Sequence, residues 1–236
     1  MNRIRLRTGA VPLCLAIALL LSAYLSCDLL PAEDEDEAEL EGSWLAFPAA
    51  PYAYDEGSTA DALLFEFSGS AHKLVFYSDT AQVGGTRGTF SVSDGVITFA
   101  TTQDWSDTDF WVASSGSFSM PYTCDGSTLV IDGPDGKATL IKRTFARPAS
   151  LVGAWFDMDT GNAHVTLNAD GTYAYDDPEP YAETGTWDAI PSHLRSETVT
   201  MEGVPGVKGS LTAYALEGGA LTLVYPAPTG AVQFTK

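Results

Sequence analysis

The sequence predicts an all-β protein made of two tandem small eight-stranded antiparallel up-and-down barrels, preceded by a signal peptide and an acidic tether. Three observations lead to this prediction. Beyond Glu41 the chain consists of short runs of alternating apolar and polar residues, separated by Gly, Asp, Ser and Asn. Several short motifs recur in the same order. Finally, a basic and then apolar N-terminus ends at a cysteine and is followed by dense acidic residues.

The strands are predicted from segments such as Phe65–Phe67 and Thr89–Ser93, which alternate in polarity, and from turns such as Ser93–Val96, where glycine can adopt positive φ. Closure into a barrel removes the exposed edges of short antiparallel strands, and a two-sheet sandwich is the alternative. Strands are expected near residues 42–47, 62–68, 72–78, 86–93, 95–101, 109–121, 127–132 and 137–143, and again near 151–157, 163–168, 171–176, 183–189, 197–202, 210–216, 219–224 and 230–235.

The repeat is carried by four matches whose offset falls from 111 to 92 residues along the chain, as expected if the second copy has shorter loops. They predict one domain over residues 40–144 and another over 150–236, joined by the linker Phe145–Ser150. The matches are LEGSW (Leu40–Trp44) with LVGAW (Leu151–Trp155), the strand ending at Phe67 with the one ending at Leu167, GTF from Gly88 with GTW from Gly185, and GSTLVI from Gly126 with GGALTL from Gly218.

The N-terminus has the two parts of a secretory signal over residues 1–26. Three arginines lie in the first seven residues, and an apolar run covers Ala10–Leu25. A membrane-spanning helix is the alternative, but it needs about 20 apolar residues. Tyr24–Cys27 resembles a bacterial lipobox, although Tyr24 and Leu25 depart from the usual pattern. The resemblance implies that Cys27 is acylated and that the protein is anchored in the bacterial cell envelope, on the periplasmic face or the cell surface. An incidental thiol is the alternative for Cys27.

Residues 27–39 are predicted to form an acidic tether. Seven of the nine residues in 33–41 are acidic, and such a segment has too few apolar side chains to fold alone. After removal of the signal the chain carries 9 basic and 31 acidic residues, a formal charge of −22. This charge argues against nucleic acid as a partner and leaves the acyl chains to hold the protein at the membrane.

Cysteine usage agrees with an anchored protein that has no disulfide. The three cysteines are Cys14, Cys27 and Cys124. Cys14 is discarded with the signal, so acylation of Cys27 leaves Cys124 alone as an inert, partly buried thiol. An exported domain without disulfides must rely on its apolar core.

The Gly-x-Trp of the first strand, the later Asp-Gly-Thr-Tyr and the Gly-Thr-Trp or Gly-Thr-Phe strand together resemble the lipocalin-like domains of bacterial lipoproteins. The resemblance covers both copies. It implies up-and-down barrels with Trp44 and Trp155 near the closed end and an apolar ligand inside. Each copy is shorter than a full-length lipocalin. The first copy offers Lys142 and Arg143 as late basic partners of the tryptophan, and the second copy offers none.

Small barrels of this size are often filled by their own side chains, so the inward residues are interpreted first as core and second as ligand lining. The inward residues expected in the first copy are Phe65, Phe67, Leu74, Phe76, Phe90, Val92, Ile97, Phe99, Leu129 and Ile131. Those expected in the second are Val165, Leu167, Tyr173, Tyr175, Trp187, Val199, Met201, Leu221 and Leu223.

No catalytic, cofactor or metal site is expected. The histidines His72, His164 and His193 form no zinc-binding pair, and the chain lacks a nucleophile elbow and a phosphate loop. The aspartate-rich segment Asp157–Asn162 begins like a calcium loop but has its glycine one place early.

The segment Asp104–Val112 is specific to the first copy and alternates aromatic residues with aspartates. Its tryptophans, Trp105 and Trp111, are candidate contacts for a partner, because exposed aromatics often anchor interfaces. The alternative is a loop entering a strand, with Phe110 or Trp111 in the core.

The functional hypothesis is a non-enzymatic envelope lipoprotein that binds a small apolar ligand or a protein. The alternative is a structural or host-contact surface protein with filled barrels.

Overall fold

The computed structural model describes residues 35–55, 58–134, 136–161, 164–176, 182–201, 204–226 and 230–236. The predicted signal peptide, Cys27 and the start of the tether lie outside these residues. The described chain is almost entirely β-structure, with one six-residue helix. No helix in these ranges has the length and apolar character needed to cross a membrane.

The helix, α1, covers Glu35–Leu40. The strands are β1 Gly42–Ala46, β2 Tyr52–Asp55, β3 Ser58–Ala60, β4 Ala62–Ser68, β5 Ala71–Ser78, β6 Ala81–Ser93, β7 Val96–Ser106, β8 Phe110–Cys124, β9 Thr128–Gly133, β10 Gly136–Arg143, β11 Gly153–Asp157, β12 His164–Leu167, β13 Thr172–Asp176, β14 Glu183–Ile190, β15 His193–Met201, β16 Val204–Glu217, β17 Ala220–Val224 and β18 Ala231–Thr235.

The first half of the chain, β1 to β10, forms a closed eight-stranded antiparallel barrel. Strands β4 to β10 pair in chain order, and β1 closes the ring by pairing with β10 on one side and β4 on the other. The hairpin β2–β3 stands apart as a separate two-stranded sheet. Closure leaves no full-length edge strand, which is the physical benefit expected of a barrel.

The second half, β11 to β18, repeats this order of pairing. Each strand pairs antiparallel with the next along the chain, and β11 also pairs with β18 through Phe156 and Asp157. A bridge between Ser210 of β16 and Ala81 of β6 joins the two halves into one hydrogen-bonded network of sixteen strands.

Each of the sixteen predicted strands overlaps an observed one, and the all-β class is confirmed. The sequence missed the hairpin β2–β3 and the early parts of β6, β15 and β16. The start of β6 contains Gly84 and Gly85, and β16 contains Pro205 and Gly206, so neither shows the alternation on which the prediction depended.

The prediction of an extended tether was wrong for residues 35–39, which belong to α1. Leu40 at the end of α1 is fully buried in the core of the first half. Burying this one apolar side chain, together with a hydrogen bond from Lys142 Nζ to the Glu39 carbonyl (3.5 Å), provides local stabilisation that the acidic composition concealed.

Three apolar clusters hold the molecule together. Two of them lie inside the halves and contain the strands' inward residues. The third lies between the halves, where Leu45, Leu64 and Val75 of the first pack with Ile190 and Leu211 of the second. The halves are therefore packed against one another.

Candidate functional site

Two equivalent tryptophans mark the same end of each half. Trp44 is fully buried, and its Nε1 donates to the Leu40 carbonyl (2.6 Å). Trp155 is also buried, and its Nε1 donates to the Leu151 carbonyl (2.7 Å). The register agrees as well, since Trp44 faces Phe65 and Trp155 faces Val165 across the neighbouring strand. These contacts support the repeat inferred from the sequence.

A lysine covers each tryptophan ring. Lys142 Nζ lies 5.0 Å from the ring centroid of Trp44, and Lys236 Nζ lies 4.6 Å from that of Trp155. Lys236 Nζ also donates to the carbonyls of Ser150 (3.0 Å) and Val152 (2.8 Å). A cation over an indole face is a favourable electrostatic contact.

The sequence reading that the second copy has no basic partner for its tryptophan was wrong, because Lys236 takes that position. A usable signal was present: Lys142 and Lys236 each follow a buried apolar residue, Leu140 and Phe234, by two positions. Each lysine is accommodated by a glycine with positive φ. A Cβ at Gly42 would lie 3.2 Å from Lys142 Cε, and one at Gly153 would lie 3.4 Å from Lys236 Cε.

The first-half cavity has a volume of about 600 Å³. Such a volume is typical of small-molecule sites. Phe65, Leu74 and Phe76, all predicted to point inward, line it. Its other lining residues are Tyr52, Thr86, Phe118, Ser119, Met120, Asp132, Gly133 and Pro134.

This cavity lies beside a stretch of the barrel wall in which β8 and β9 are not paired. Strand β8 pairs with β9 only through Tyr122, Thr123 and Cys124, whereas its earlier part pairs with β7. Ser119 of β8 and Asp132 of β9 line the cavity on either side of this gap. Phe118, beside the gap, is 37% exposed, so an aromatic face is accessible to a ligand.

The hairpin β2–β3 contributes Tyr52 to this cavity. Tyr52 packs against the core of the first half and reaches Gly133, where a Cβ would lie 2.7 Å from the tyrosine hydroxyl oxygen. Deeper in the barrel the side chains fill the space: Phe67, Phe90, Ile97, Phe99, Leu129 and Ile131 are buried. The first half thus combines a filled core with a cavity.

His72 is buried within this filled part. It is 3% exposed, its Nε2 lies 3.4 Å from Thr86 Oγ1, and its ring meets Phe99 edge to face at 5.0 Å between centroids. Burial lowers the pKa of His72, which favours the neutral imidazole. Its position between apolar rings identifies it as part of the core.

The second-half cavity has a volume of about 310 Å³ and a different lining. Five of the described lining residues are aromatic, and among the described ones Glu183 alone is charged. The lining residues are Thr80, Val165, Leu167, Tyr173, Tyr175, Glu183, Trp187, Leu194, Ser196, Ser210, Thr212, Leu223, Tyr225 and Phe234. Six of these were predicted as inward residues of the second copy.

A glycine at an irregularity of β14 positions Tyr173 in this cavity. The register of β14 with β15 shifts between Thr184 and Gly185. Gly185 faces Tyr173 across the strands, and a Cβ there would lie 2.6 Å from Tyr173 Cε1. The bare glycine therefore lets the ring lie flat over β14, with its hydroxyl 2.7 Å from Thr198 Oγ1 and 3.4 Å from Glu183 Oε2. Thr198 Oγ1 is likewise 3.4 Å from Glu183 Oε2.

The inward orientation predicted for Val199 was wrong, because its side chain is 49% exposed. Strand β15 carries an irregularity between Thr198 and Thr200, which breaks the alternation of side chains at this point. Thr198 points inward instead and is 6% exposed. The side chain of Met201, also predicted inward, lies outside the described residues.

The tyrosine hydroxyls of this cavity stay protonated at neutral pH. Burial raises the pKa of Tyr173 to about 12. Burial also raises the pKa of Tyr225, and the neighbouring charges of Tyr175 and Glu183 add to this effect. These hydroxyls are therefore available as neutral hydrogen-bond donors beside the carboxylate.

The two tryptophans predicted as contacts lie at partner positions of the β7–β8 hairpin, where Trp105 pairs with Trp111. Both are half-buried. The Arg87 guanidinium lies 4.5 Å from the Trp111 ring centroid, so Trp111 is covered by the protein itself. Trp105 lines a cleft of about 520 Å³ between this hairpin, the start of β6 and Lys208 of β16.

A network of charges lies between the halves. Arg195 donates from Nε and Nη2 to the two carboxylate oxygens of Asp188 (2.7 and 2.5 Å) and from Nη1 to Glu66 (2.5 Å). Lys73 pairs with Glu197 at 2.9 Å. Burial by itself would lower the pKa of Arg195, but the hydrogen bonds and charges of Asp188 and Glu66 outweigh it and raise the pKa. The network binds the halves to one another.

Within the described residues, no group of three or more His, Cys, Asp or Glu side chains is placed to hold a metal ion. Cys124 is a free thiol that packs against the first-half core, and its Sγ contacts the Glu39 carbonyl at 3.9 Å.

Comparison with known proteins adds no neighbour. No protein-family model, curated protein or solved structure matches the chain. The features of this chain that bear on function are therefore the first-half and second-half cavities.

Proposed function

We propose that this chain is a lipid-anchored binding protein of the bacterial cell envelope, and that its first-half cavity holds a small apolar ligand. The observation that carries the proposal is the cavity of about 600 Å³ itself. Its wall is largely aromatic and aliphatic, with few polar groups at the rim, which is the usual composition of a small-molecule site. The entrance in this proposal is the gap where β8 and β9 are not paired.

In this proposal the two halves are tandem lipocalin-like barrels. The support for a second barrel is that β11 to β18 pair in the same order as the strands of the first, including the pair that joins the first and last strand. The equivalent buried tryptophans with their covering lysines give further support. The hairpin β2–β3 has no equivalent among the described residues of the second half.

The anchor in this proposal is Cys27, as expected from the lipobox-like segment. Helix α1 begins eight residues after Cys27, a stretch that spans at most about 28 Å when fully extended. An acyl group on Cys27 would therefore hold the first barrel near the membrane. The acidic residues of this segment would keep the protein from lying flat on anionic lipid.

Anchoring is testable by metabolic labelling of the full-length chain in a bacterial host with an alkyne analogue of palmitate. The wild-type protein and Cys27→Ala should differ, the variant losing the label completely because it lacks the acceptor thiol. Cys124→Ala is the matched control and should keep the label. Equal labelling of the wild type and Cys27→Ala would contradict the anchor.

Ligand binding is testable with N-phenyl-1-naphthylamine, a neutral fluorophore that brightens in apolar surroundings. Thr86→Trp, at the wall of the first-half cavity, should fill it and weaken probe binding by about tenfold or more. Ile141→Trp places the same indole on an exposed site of the same barrel and should bind the probe like wild type. Thermal melting confirms that both variants are folded.

Failure of the wild-type protein to bind this probe, or an equal loss of probe binding in both variants, would contradict the proposed function.

The alternative hypothesis is that the protein acts through its surface. The cleft that contains Trp105 is the feature that favours it, because a half-buried tryptophan beside Phe110 and Lys208 is a suitable anchor for a partner. Trp111 is less suited to this role, because Arg87 covers its ring.

A further inference from the structure

The second-half cavity differs from the first in both size and chemistry. Its volume of about 310 Å³ corresponds to roughly ten water molecules, which limits a ligand to about ten non-hydrogen atoms. Its wall combines four residues with π faces and a hydroxyl or indole N–H, namely Tyr173, Tyr175, Trp187 and Tyr225. Such residues offer a ligand both an apolar ring face and a polar group.

The charge of this wall has one sign. Of the lining residues that the structure describes, Glu183 is the one carboxylic acid, and none is Lys, Arg or His. The hydroxyls of Tyr173 and Thr198 lie 2.7 Å from each other and 3.4 Å each from Glu183 Oε2, so one hydroxyl proton joins the two hydroxyls and the other is donated to the carboxylate. A carboxylate has two oxygens with about four acceptor sites, so these two contacts leave acceptor capacity for a ligand.

The aromatic residues gather around this carboxylate. Tyr175 and Glu183 are direct cross-strand partners of β13 and β14, which places their side chains on the same face. Tyr225 lines the same cavity as these two residues. Trp187 is 2% exposed and is fixed by a hydrogen bond from Nε1 to the Asn168 carbonyl (3.0 Å). The hydrogen bond therefore fixes the orientation of the Trp187 ring in the wall.

We propose that the second-half cavity binds a small organic cation, an ammonium group carried on an apolar or aromatic body. The carboxylate of Glu183 pairs with the ammonium, and the faces of the surrounding tyrosines and Trp187 attract the positive charge and pack against the body of the ligand. A fatty acid or another anion is disfavoured, since its charge would approach Glu183 without a compensating base. The strongly negative net charge of −19 also raises the local concentration of cations.

This inference does not depend on the proposed function, because it concerns another cavity and another class of ligand. The test uses isothermal titration with two probes of equal shape, 2-phenylethylammonium and the neutral 2-phenylethanol. The wild-type protein should bind the ammonium probe about tenfold or more tightly than the alcohol. Glu183→Gln keeps the shape of the side chain and should remove this preference, while 2-phenylethanol binding and thermal melting report that the cavity is intact.

Two further variants complete the test. Glu217→Gln makes the same change of charge at the exposed end of β16 in the same half and should leave the preference unchanged. Glu183→Asp keeps the charge and should retain a clear preference for the ammonium probe. Equal affinity for both probes in the wild type, an unchanged preference in Glu183→Gln, or no binding of either probe at millimolar concentration would each overturn the proposal. Thr86→Trp, which fills the other cavity, should not alter it.

Discussion

Trp44→Ala is expected to lower the free energy of unfolding by about 4 kcal/mol, because it removes the largest fully buried side chain of the first half. The variant loses the packing of the indole, its hydrogen bond to the Leu40 carbonyl and the ring beneath Lys142. Urea denaturation followed by circular dichroism measures the change. Trp105→Ala is the matched control. It should lower the free energy of unfolding much less, because Trp105 is only half-buried.

The equivalent variant in the second half, Trp155→Ala, extends this test to the relation between the halves. Because the apolar cluster between them contains residues of both, such as Val75 and Leu211, we expect each variant to shift one shared unfolding transition. Two separate transitions, of which each variant moved only one, would contradict this coupling. A Trp44→Ala protein as stable as the wild type would contradict the role of the tryptophan itself.

Arg195→Leu is expected to lower the free energy of unfolding by about 3 kcal/mol, since it leaves Asp188 and Glu66 without their shared partner in a half-buried site. The Arg195 side chain is 20% exposed, so solvent screens the network only in part. The guanidinium also lies 4.2 Å from the Phe145 ring centroid, and this contact is lost as well. Thermal and urea denaturation measure the effect.

Arg143→Leu is the matched control for Arg195→Leu, because Arg143 is exposed on β10 of the first half. It should change stability by less than about 0.5 kcal/mol. A triple variant that replaces Arg195, Asp188 and Glu66 by apolar residues should recover most of the lost stability, since no charge then stays unpaired. A single variant as stable as the Arg143→Leu control would show that the network does not hold the halves together.

Most of the first barrel could be predicted from local patterns. Inward residues such as Phe65 and Phe99 alternate with polar ones, and glycine marks the turns, so period and turn chemistry suffice to place the strands. The repeat was visible for the same reason, since its matches are local. The bulge at Gly185 repeats the one at Gly88: at both, a Cβ would collide with a carbonyl oxygen of the next strand.

The features that could not be predicted depend on residues far apart in the chain. Lys236 covers the ring of Trp155, which lies 81 residues earlier in the sequence. Glu66 forms an ion pair with Arg195, which lies 129 residues later. The outward turn of Val199 follows from an irregular register that no local pattern indicates. Tyr173 and Glu183 belong to different strands, so their approach in the second-half cavity required the pairing of β13 with β14.

The sequence by itself determined the strand content, the repeat, the core residues of the first half and the acidic charge, because each depends on composition or on neighbours within a few positions. Only the tertiary structure decided that the first half contains a cavity beside its filled core, that the second-half cavity combines tyrosines with a carboxylate, and that the halves are packed together. The physical reason is that a cavity is the volume left after strands pair and side chains pack. Its size and charge are properties of register and closure, which involve the whole chain at once.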